Sequence, residues 1–183
     1  MRESTQLKKF GFVSKCLHWG IFVLVCANFF LIWQRESFLK DDPRSLEYIL
    51  LHKSIGIVIF VLAILFIFWH LVRARPALNL SKPQRMATRS VHNLLFLLLI
   101  AMPLSGYVMS VTSNHPVSFF GLFQLPSLIG ENKALSELAF QIHAACGWAL
   151  IILVAMHVLA AFFHHFVSKD NVLRRMLPFG KVK

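Results

Sequence analysis

Acidic residues and cysteines are scarce in this sequence. Its 183 residues include 8 Asp and Glu against 19 Lys and Arg, and three cysteines, Cys16, Cys26 and Cys146. No Cys-x-x-Cys-His segment is present, so covalent attachment of a c-type haem is excluded. The cysteines are isolated along the chain, and Cys16 and Cys146 are expected at opposite faces of the fold. We therefore expect no disulfide and interpret the cysteines as small apolar fillers.

Long polar segments are also missing, which indicates a membrane protein. Hydrophobic residues make up 57% of the chain, 18 residues are Phe, and the mean hydropathy is +0.64, beyond the usual apolar share of soluble domains. Four apolar stretches, 17–33, 48–72, 91–111 and 142–167, are long enough to span a bilayer. The first is long for the apolar core of a signal peptide, and no convincing cleavage site follows it, so we interpret it as a helix. No linker divides the chain, and we expect one all-α domain over residues 1–183, an integral membrane four-helix bundle.

The few acids are unevenly distributed among the connections between these stretches. Residues 73–89 contain five basic residues and no acid, and both terminal tails are strongly basic. The first connection is acid-rich, and the third has Glu131 and Glu137 against Lys133. Under the positive-inside rule, this alternation places both termini in the cytoplasm. The net charge of +11 is then explained without nucleic acid, for which no recognised motif accompanies the basic loops.

Two of the connections carry structural signals of their own. Pro76, Pro83 and the lack of an apolar run predict an extended cytoplasmic loop at 73–89. The third connection, 112–139, contains prolines and several Phe residues, and we expect it to lie at the outer membrane interface, in part as helix.

His143 and His157 lie fourteen residues apart within the fourth apolar stretch. At ~100° and ~1.5 Å per residue, fourteen steps end ~40° short of four full turns and rise ~21 Å. One helix face therefore carries two imidazoles near opposite sides of a hydrocarbon layer about 30 Å thick. Ionisable side chains are costly there and are usually functional, so the spacing indicates two metal cofactors stacked along one helix.

On the outer side, the topology offers His52 as the partner of His143, because His115 lies in a loop. His52 and His143 are each followed four residues later by a glycine, Gly56 and Gly147. A glycine one turn deeper on the same face removes the side chain where a flat macrocycle must approach the backbone.

The inner side is more crowded. Its histidines are His18, His70, His92, His157, His164 and His165. His70 lies eighteen residues beyond His52, a rise of ~27 Å, which puts it ~6 Å nearer the cytoplasm than His157. His18 opens the apolar run of the first helix, which begins on the same side, and it can face the fourth helix in an antiparallel bundle. We therefore pair His18 with His157.

Opposed histidine pairs at two depths fit haem better than another metal. Neutral imidazole binds zinc, copper and iron, but a structural zinc ion takes four ligands, and each depth offers two. Two opposed imidazoles across a helix bundle suit the axial positions of a haem, and with both positions filled the natural role is electron transfer. The alternatives are hydrogen-bonded interior histidines in a structural bundle, or a transition-metal transporter. We interpret His115 and His165 as ordinary interface residues.

Taken together, the motifs resemble the prokaryotic cytochrome b561 family of small four-helix, di-haem membrane cytochromes. The resemblance covers about residues 10–178 and rests on Leu17, His18, Trp19, His52, Lys53, Ser54, Ile55, Gly56, His143, His157 and the closing run His164, His165, Phe166, Lys169, Asp170, Asn171, Leu173, Arg175, Met176. It implies two non-covalent haem b groups. One would be held by His52 with His143 on the outer side, and the other by His18 with His157 on the inner side.

The resemblance extends to a superoxide oxidase of this family, which passes electrons from superoxide outside to ubiquinone at the inner face. By resemblance, His92 and His164 match histidines near that quinone site, where a neutral imidazole can hydrogen-bond a quinone oxygen. The alternative for both is an interfacial histidine. His70 stands where relatives carry Arg, so a contact with an anion or a haem propionate would be altered there.

We therefore expect a di-haem b-type cytochrome of the bacterial inner membrane, in contact with lipid. It would carry electrons between an outer donor, superoxide or a periplasmic redox protein, and ubiquinone at the cytoplasmic side, as an oxidoreductase of the superoxide:ubiquinone type or as an electron-transfer protein. The alternative is a membrane-anchoring cytochrome b subunit that relays electrons for a separate redox partner without turnover of its own. Lys53, beside the outer ligand, would add positive potential for an anionic donor or neutralise a propionate.

Overall fold

Four long apolar helices account for most of the chain. The computed structural model describes residues 9–39, 42–73 and 81–179. Its elements are the helices α1 (Phe12–Glu36), α2 (Pro43–Val72), α3 (Lys82–Thr112), α4 (Lys133–Phe166) and α5 (Val172–Met176), and the strands β1 (Ser118–Phe119) and β2 (Phe123–Gln124). Helices α1 to α4 are each long and apolar enough to cross a membrane. The predicted all-α membrane bundle is thereby confirmed, and each predicted apolar stretch coincides with one helix.

Helix α3 begins at Lys82, well before the apolar stretch that starts at 91. Ser81 and Gln84 form a capping box, in which the Ser81 hydroxyl accepts from the Gln84 amide and the Gln84 side chain accepts from the Ser81 amide. This cap satisfies donors that would otherwise be orphaned at the helix start. The prediction of an extended loop was therefore wrong for residues 82–89, while residues 74–80 lie outside the described part of the chain.

Capping side chains also set the starts of α2 and α4. Asp42 accepts hydrogen bonds from the amide and the guanidinium of Arg44, which lower the pKa of the Asp42 carboxyl. Asn132 accepts from the amide of Leu135, so α4 begins at Lys133. The third connection is consequently shorter than the predicted 112–139.

A short hairpin occupies this third connection where partial helix was expected. Strands β1 and β2 pair antiparallel, and the turn between them contains Phe120 and Gly121 with φ of 49° and 75°. Glycine adopts this left-handed region without steric cost, whereas Phe120 pays ~1–2 kcal/mol. Helix within the predicted 112–139 is confined to residues 112 and 133–139, which belong to α3 and α4, while the residues between them form the hairpin and its flanking loops.

Ser54 of α2 anchors this hairpin to the bundle. Its side chain is 2% exposed. Its hydroxyl lies 2.9 Å from the carbonyl oxygen of Leu50 and 3.1 Å from that of Ser118, and it accepts a hydrogen bond of 2.9 Å from the Phe120 amide. The last bond helps to offset the unfavourable φ of Phe120. We call this end of the bundle the hairpin end.

At the opposite end, which we call the terminal end, α5 folds back against the start of α1. The indole nitrogen of Trp19 donates to the carbonyl of Met176 at 3.0 Å, and the amide of Phe10 donates to the carbonyl of Arg175 at 3.4 Å. Arg175 is buried, with its guanidinium carbon 5.8 Å from the ring centre of Phe10, and burial lowers the pKa of this guanidinium. The chain segment after α4 is thus part of the folded bundle.

The buried core lies midway between the two ends. It consists of Ile21, Val25, Ile59, Ala63, Phe66, Leu99 and Leu150. Leu150 lies seven residues from both His143 and His157, and Ile59 lies seven residues past His52. Seven residues are about two helical turns, or ~10 Å. A close-packed apolar layer therefore separates the depths of the histidines.

Large apolar side chains point away from the bundle on all four long helices. Phe30 of α1, Phe68 of α2, Leu97 of α3 and Trp148 of α4 are each more than half exposed. Helices that are hydrophobic on every side are stable only inside a large core or in lipid. These outer faces contact membrane lipid.

Candidate haem-binding sites

The hairpin end brings together the histidines that the topology paired on the outer side. The ring centres of His52 in α2 and His143 in α4 lie 6.1 Å apart, with the ring planes at 81°. His52 Nδ1 is 3.3 Å from the carbonyl oxygen of Asn28, and His143 Nδ1 is 2.8 Å from that of Met102. When each Nδ1–H donates to its carbonyl, Nε2 of each ring is left as the free nitrogen that can bind a metal.

The terminal end brings together three imidazoles. The ring centres of His18 in α1 and His157 in α4 are 6.1 Å apart, at 53° between planes. His92 of α3 lies closer to His157, with 5.2 Å between ring centres, and its Nδ1 is 2.7 Å from the carbonyl oxygen of Thr88. The position of His92 beside His157 was not expected from depth alone, because it depends on how far α3 is rotated about its axis.

The spacing of the two pairs fits axial ligands on either side of a metal. Two metal–nitrogen bonds of ~2 Å, with ~1 Å from each nitrogen to its ring centre, place opposed imidazole centres ~6 Å apart. Both His52–His143 and His18–His157 have this separation. The His92–His157 distance is shorter than this value. The fit therefore favours His18 over His92 as the partner of His157.

The packing of the helices is consistent with a cofactor between them. Close backbone contacts join α1 to α2, α2 to α3 and α3 to α4. Within the described ranges, α4 makes no comparable backbone contact with α1 or α2. Both histidine pairs therefore join helices whose backbones are not in close contact with each other.

Gly106 of α3 is a site residue that the sequence reasoning missed. A Cβ atom at this position would lie 3.0 Å from Cε1 and 3.1 Å from Nδ1 of His143. Among Cβ contacts such distances are too short without movement of the neighbour. Nothing in the sequence places Gly106 opposite His143, because this approach depends on how α3 faces α4.

The two glycines that sequence placed beside the outer ligands have different surroundings. A Cβ at Gly56 would meet only Asn28 Nδ2, at 3.9 Å, so the position is open, as expected for a face that approaches a cofactor. A Cβ at Gly147 would lie 3.3 Å from Cε of Met102. Gly147 therefore serves the close packing of α4 on α3.

Comparison with known proteins identifies the family. The family model for prokaryotic cytochrome b561 matches residues 9–179. The chain belongs to the prokaryotic cytochrome b561 family. It is accordingly a multi-pass bacterial membrane protein, a b-type cytochrome that binds haem and takes part in electron transfer.

Individual relatives match this cytochrome over almost their full lengths. Cytochrome b561 homolog 2 of Escherichia coli (strain K12) is 32% identical over 175 residues, covering 93% of this chain and 92% of the relative. Cytochrome b561 homolog 1 of the same organism is 29% identical over 176 residues, covering 94% and 98%. The probable superoxide oxidase CybB of Yersinia pestis is also 29% identical over 176 residues, covering 93% and 97%.

His164 of the cytochrome is held by a carboxylate. Its Nδ1 lies 2.5 Å from Oδ2 of Asp170, and the other carboxylate oxygen accepts from the amide of Val172 at the start of α5. The turn that brings Asp170 back to α4 contains Lys169 with φ of 53°. One carboxylate thus orients an imidazole and caps a helix, and it leaves Nε2 of His164 free to meet another group.

The remaining histidines of the cytochrome lie outside the two pairs, and within the described residues the buried Nδ1 of His165 has no hydrogen-bond partner. His70 Nδ1 is 2.8 Å from the carbonyl oxygen of Phe66, and its ring packs on the rings of Phe66 and Phe96. His115 is exposed, with Nδ1 3.2 Å from the hydroxyl of Ser113. His165 stacks edge-on against its neighbour Phe166.

Proposed function

We propose that this cytochrome holds two non-covalent haem b groups and carries electrons across the bacterial inner membrane. His52 and His143 would hold one haem at the hairpin end, and His18 and His157 the other at the terminal end. The observation that carries the proposal is the repeated 6.1 Å separation of paired rings at two levels of α4. Haem held by these residues would supply reversible one-electron chemistry.

We further propose superoxide as the outer donor and ubiquinone as the inner acceptor. The support is the similarity of the chain to the Yersinia pestis relative, a probable superoxide oxidase. Overall, two superoxide anions would each lose one electron to become dioxygen, and one quinone would take up those two electrons and two protons to become a quinol. The protein therefore has to attract an anion at one end and deliver protons at the other.

The residues at the two ends suit these tasks. Lys53, next to His52, adds positive potential at the hairpin end, where it attracts an anion or pairs with a propionate. His164, oriented by Asp170, would hydrogen-bond a quinone oxygen through Nε2 and hold a proton for it. His92 is a second candidate for the quinone, and its place beside His157 keeps it close to the inner ligand level.

The proposed orientation has the terminal end in the cytoplasm. Basic residues dominate the tails and the second connection, whereas the first and third connections carry most of the acids. The hairpin end would then face the periplasm. One domain over residues 1–183 is proposed, because the helices of both halves contribute to each histidine pair.

The haem proposal is tested by removing each ligand separately. We expect His52→Ala and His143→Ala to lose the same haem, and His18→Ala and His157→Ala to lose the other, as measured by pyridine haemochrome content and by potentiometric titration of the purified protein. His115→Ala, at an exposed histidine, is the matched control and should keep both haems. Loss of the inner haem in His92→Ala, with its retention in His18→Ala, would contradict the pairing.

The substrate proposal is tested on the same purified protein. A pulse of superoxide should reduce the haems, and added ubiquinone should then reoxidise them at a rate that depends on quinone concentration. A protein that is inert alone, but copurifies with another redox protein and is reduced by it, would instead be the membrane anchor of that partner. Bound zinc or copper without a low-spin b-type spectrum would exclude both the superoxide-to-quinone carrier and the membrane anchor.

A further inference from the structure

The two histidine pairs differ in the hydrogen bonds that their rings make. At the hairpin end, Nδ1 of both rings faces a backbone carbonyl, that of Asn28 for His52 and that of Met102 for His143. At the terminal end, Nδ1 of His18 is buried, and within the described residues neither it nor the ring of His157 has a hydrogen-bond partner. The rings of the hairpin-end pair are therefore hydrogen-bonded through Nδ1, and within the described part of the chain the rings of the terminal-end pair are not.

Hydrogen bonding to a ligand ring changes the electron density that it donates. An imidazole whose Nδ1–H donates to a carbonyl is a more basic ligand than one that donates to nothing. A more basic ligand stabilises the oxidised, more positive iron, and so lowers the reduction potential of the group it holds. Hydrogen bonding therefore favours a lower reduction potential for a haem held by the hairpin-end pair than for one held by the terminal-end pair.

Charge acts in the same direction. Lys15, three residues before His18, is 8% exposed, and Arg175, whose neighbour Met176 is hydrogen-bonded to Trp19, is 2% exposed. Buried positive charge near a redox group favours its reduced form. Lys53 beside His52 opposes this ordering, but it is only half-buried and is therefore screened more strongly.

The wider charge distribution also favours the terminal end. Among described residues, the hairpin end carries Arg35, Arg44, Lys53 and Lys133 with Glu36, Asp42, Glu47, Glu131 and Glu137, and the terminal end carries Lys9, Lys15, Arg73, Lys82, Arg85, Arg89, Lys169, Arg174 and Arg175 with Asp170. The sum of charges is therefore close to zero at one end and strongly positive at the other.

We infer that the His18–His157 pair confers the higher reduction potential and the His52–His143 pair the lower. Electrons then move downhill from the hairpin end to the terminal end. This inference rests on the proposed haem ligation, to which it adds an order of the two reduction potentials that neither the ligand set nor the spacing of the pairs specifies.

Single ligand replacements assign each potential to its pair. The experiment is a potentiometric titration of the purified protein with both haems bound, fitted to two components, for wild type, His143→Met and His18→Met. Methionine in place of one axial histidine raises the potential of the haem it ligates. We expect His143→Met to raise the lower component and His18→Met to raise the higher one, while His115→Met changes neither.

The outcomes of the titration distinguish a failure of the proposed order of potentials from a failure of the proposed haem ligation. If a methionine variant loses one haem, the component that disappears from the titration is the one that belongs to the replaced histidine. Two wild-type components that coincide, or a higher component that responds to His143→Met, would overturn the ordering and leave the ligation intact. If neither His143→Met nor His18→Met changes the spectrum or the titration, the ligand assignment is wrong, and the ordering is wrong with it.

Discussion

The ring of His143 is positioned by α3, a helix that supplies no proposed ligand. The carbonyl of Met102 accepts from its Nδ1, the hydroxyl of Ser105 lies 3.4 Å from the same atom, and Gly106 leaves room for the ring. Loss of a group that hydrogen-bonds a metal ligand typically lowers the affinity for the metal by about 10- to 100-fold. The proposed site at the hairpin end therefore depends on three residues from outside its proposed ligands.

Gly106→Ala is expected to weaken haem binding at the hairpin end alone. The added Cβ, 3.0 Å from Cε1 of His143, would force the ring away from the Met102 carbonyl. We expect roughly a 10- to 100-fold loss of affinity for that haem, measured by haem content after purification and by titration of the depleted protein with haem.

The internal control is the terminal-end haem, which should stay fully bound in Gly106→Ala. Gly130→Ala is the matched variant, because a Cβ there meets nothing within 4 Å. Equal loss of both haems would show general misfolding and contradict a specific role for Gly106.

Asp170→Asn is expected to slow quinone reduction without loss of haem. The amide can still cap α5, but it lacks the charge that holds the Nδ1–H of His164. Because proton transfer by a positioned group is worth about 10²- to 10⁴-fold, loss of its orientation should cost a large part of that factor. The measurement is the rate of haem reoxidation by ubiquinone under single-turnover conditions.

Asp42→Asn provides the comparison at the other end of the bundle, since Asp42 also caps a helix. It should leave the reoxidation rate unchanged. An unchanged rate in Asp170→Asn would remove His164 and Asp170 from the proton path.

At the level of single residues, the sequence predicts contacts that depend on depth in the membrane. It does not predict contacts that depend on the rotation of a helix about its axis. The pairs His52–His143 and His18–His157 follow from topology and rise per residue, and the structure brings both pairs together. The approach of Gly106 to His143 depends on the angle at which α3 faces α4, which no residue pattern in the sequence specifies.

Among the elements, the hairpin depends most on a single side chain. Ser54→Ala removes the hydroxyl that joins α2 to the Ser118 carbonyl and the Phe120 amide. Leaving such buried groups without a partner costs about 1–3 kcal/mol. We expect faster hydrogen exchange at the Phe120 amide and a lower thermal midpoint.

Ser37→Ala is the control, because the Ser37 hydroxyl is exposed and bonds only to the nearby carbonyl of Gln34. Exchange at Phe120 should be unaffected by it. If Ser54→Ala leaves exchange at the hairpin unchanged, the anchor lies elsewhere.

Hydropathy does not predict where the helices begin or where the short elements form. Apolar stretches locate the membrane-spanning parts of the helices, but α3 and α4 continue into polar sequence as far as the caps at Ser81 and Asn132. The hairpin and α5 are each only a few residues long. Elements this short are formed by contacts with the bundle, such as the bond from Trp19 to Met176, and their own sequences do not predict them.

For the whole molecule, the proposed orientation predicts which end can be labelled from outside. In a background with all three cysteines replaced by alanine, Ser127→Cys in the hairpin connection should react with a membrane-impermeant maleimide on intact spheroplasts. Ser168→Cys, after α4, should react only once the membrane is permeabilised. Both serines are exposed, so accessibility within the protein does not distinguish them.

The reverse labelling pattern would place the termini outside and contradict the orientation. The class of fold was predictable from the pattern of hydropathy, because four apolar stretches of the chain are each long enough to span a bilayer. Sidedness is supported by the charges of the connections alone, which is why it calls for this separate measurement.

The single uninterrupted helix that carries both His143 and His157 also couples the molecule to the voltage of the cell. The two ligand levels are ~21 Å apart, or about two-thirds of the hydrocarbon thickness. Moving one charge across the full membrane is worth about 2.3 kcal/mol per 100 mV, so transfer between these levels is worth about 1.6 kcal/mol per 100 mV. In the proposed orientation each electron moves towards the negative interior. An energised membrane therefore opposes turnover, and the difference in potential between the two sites must be large enough to overcome it.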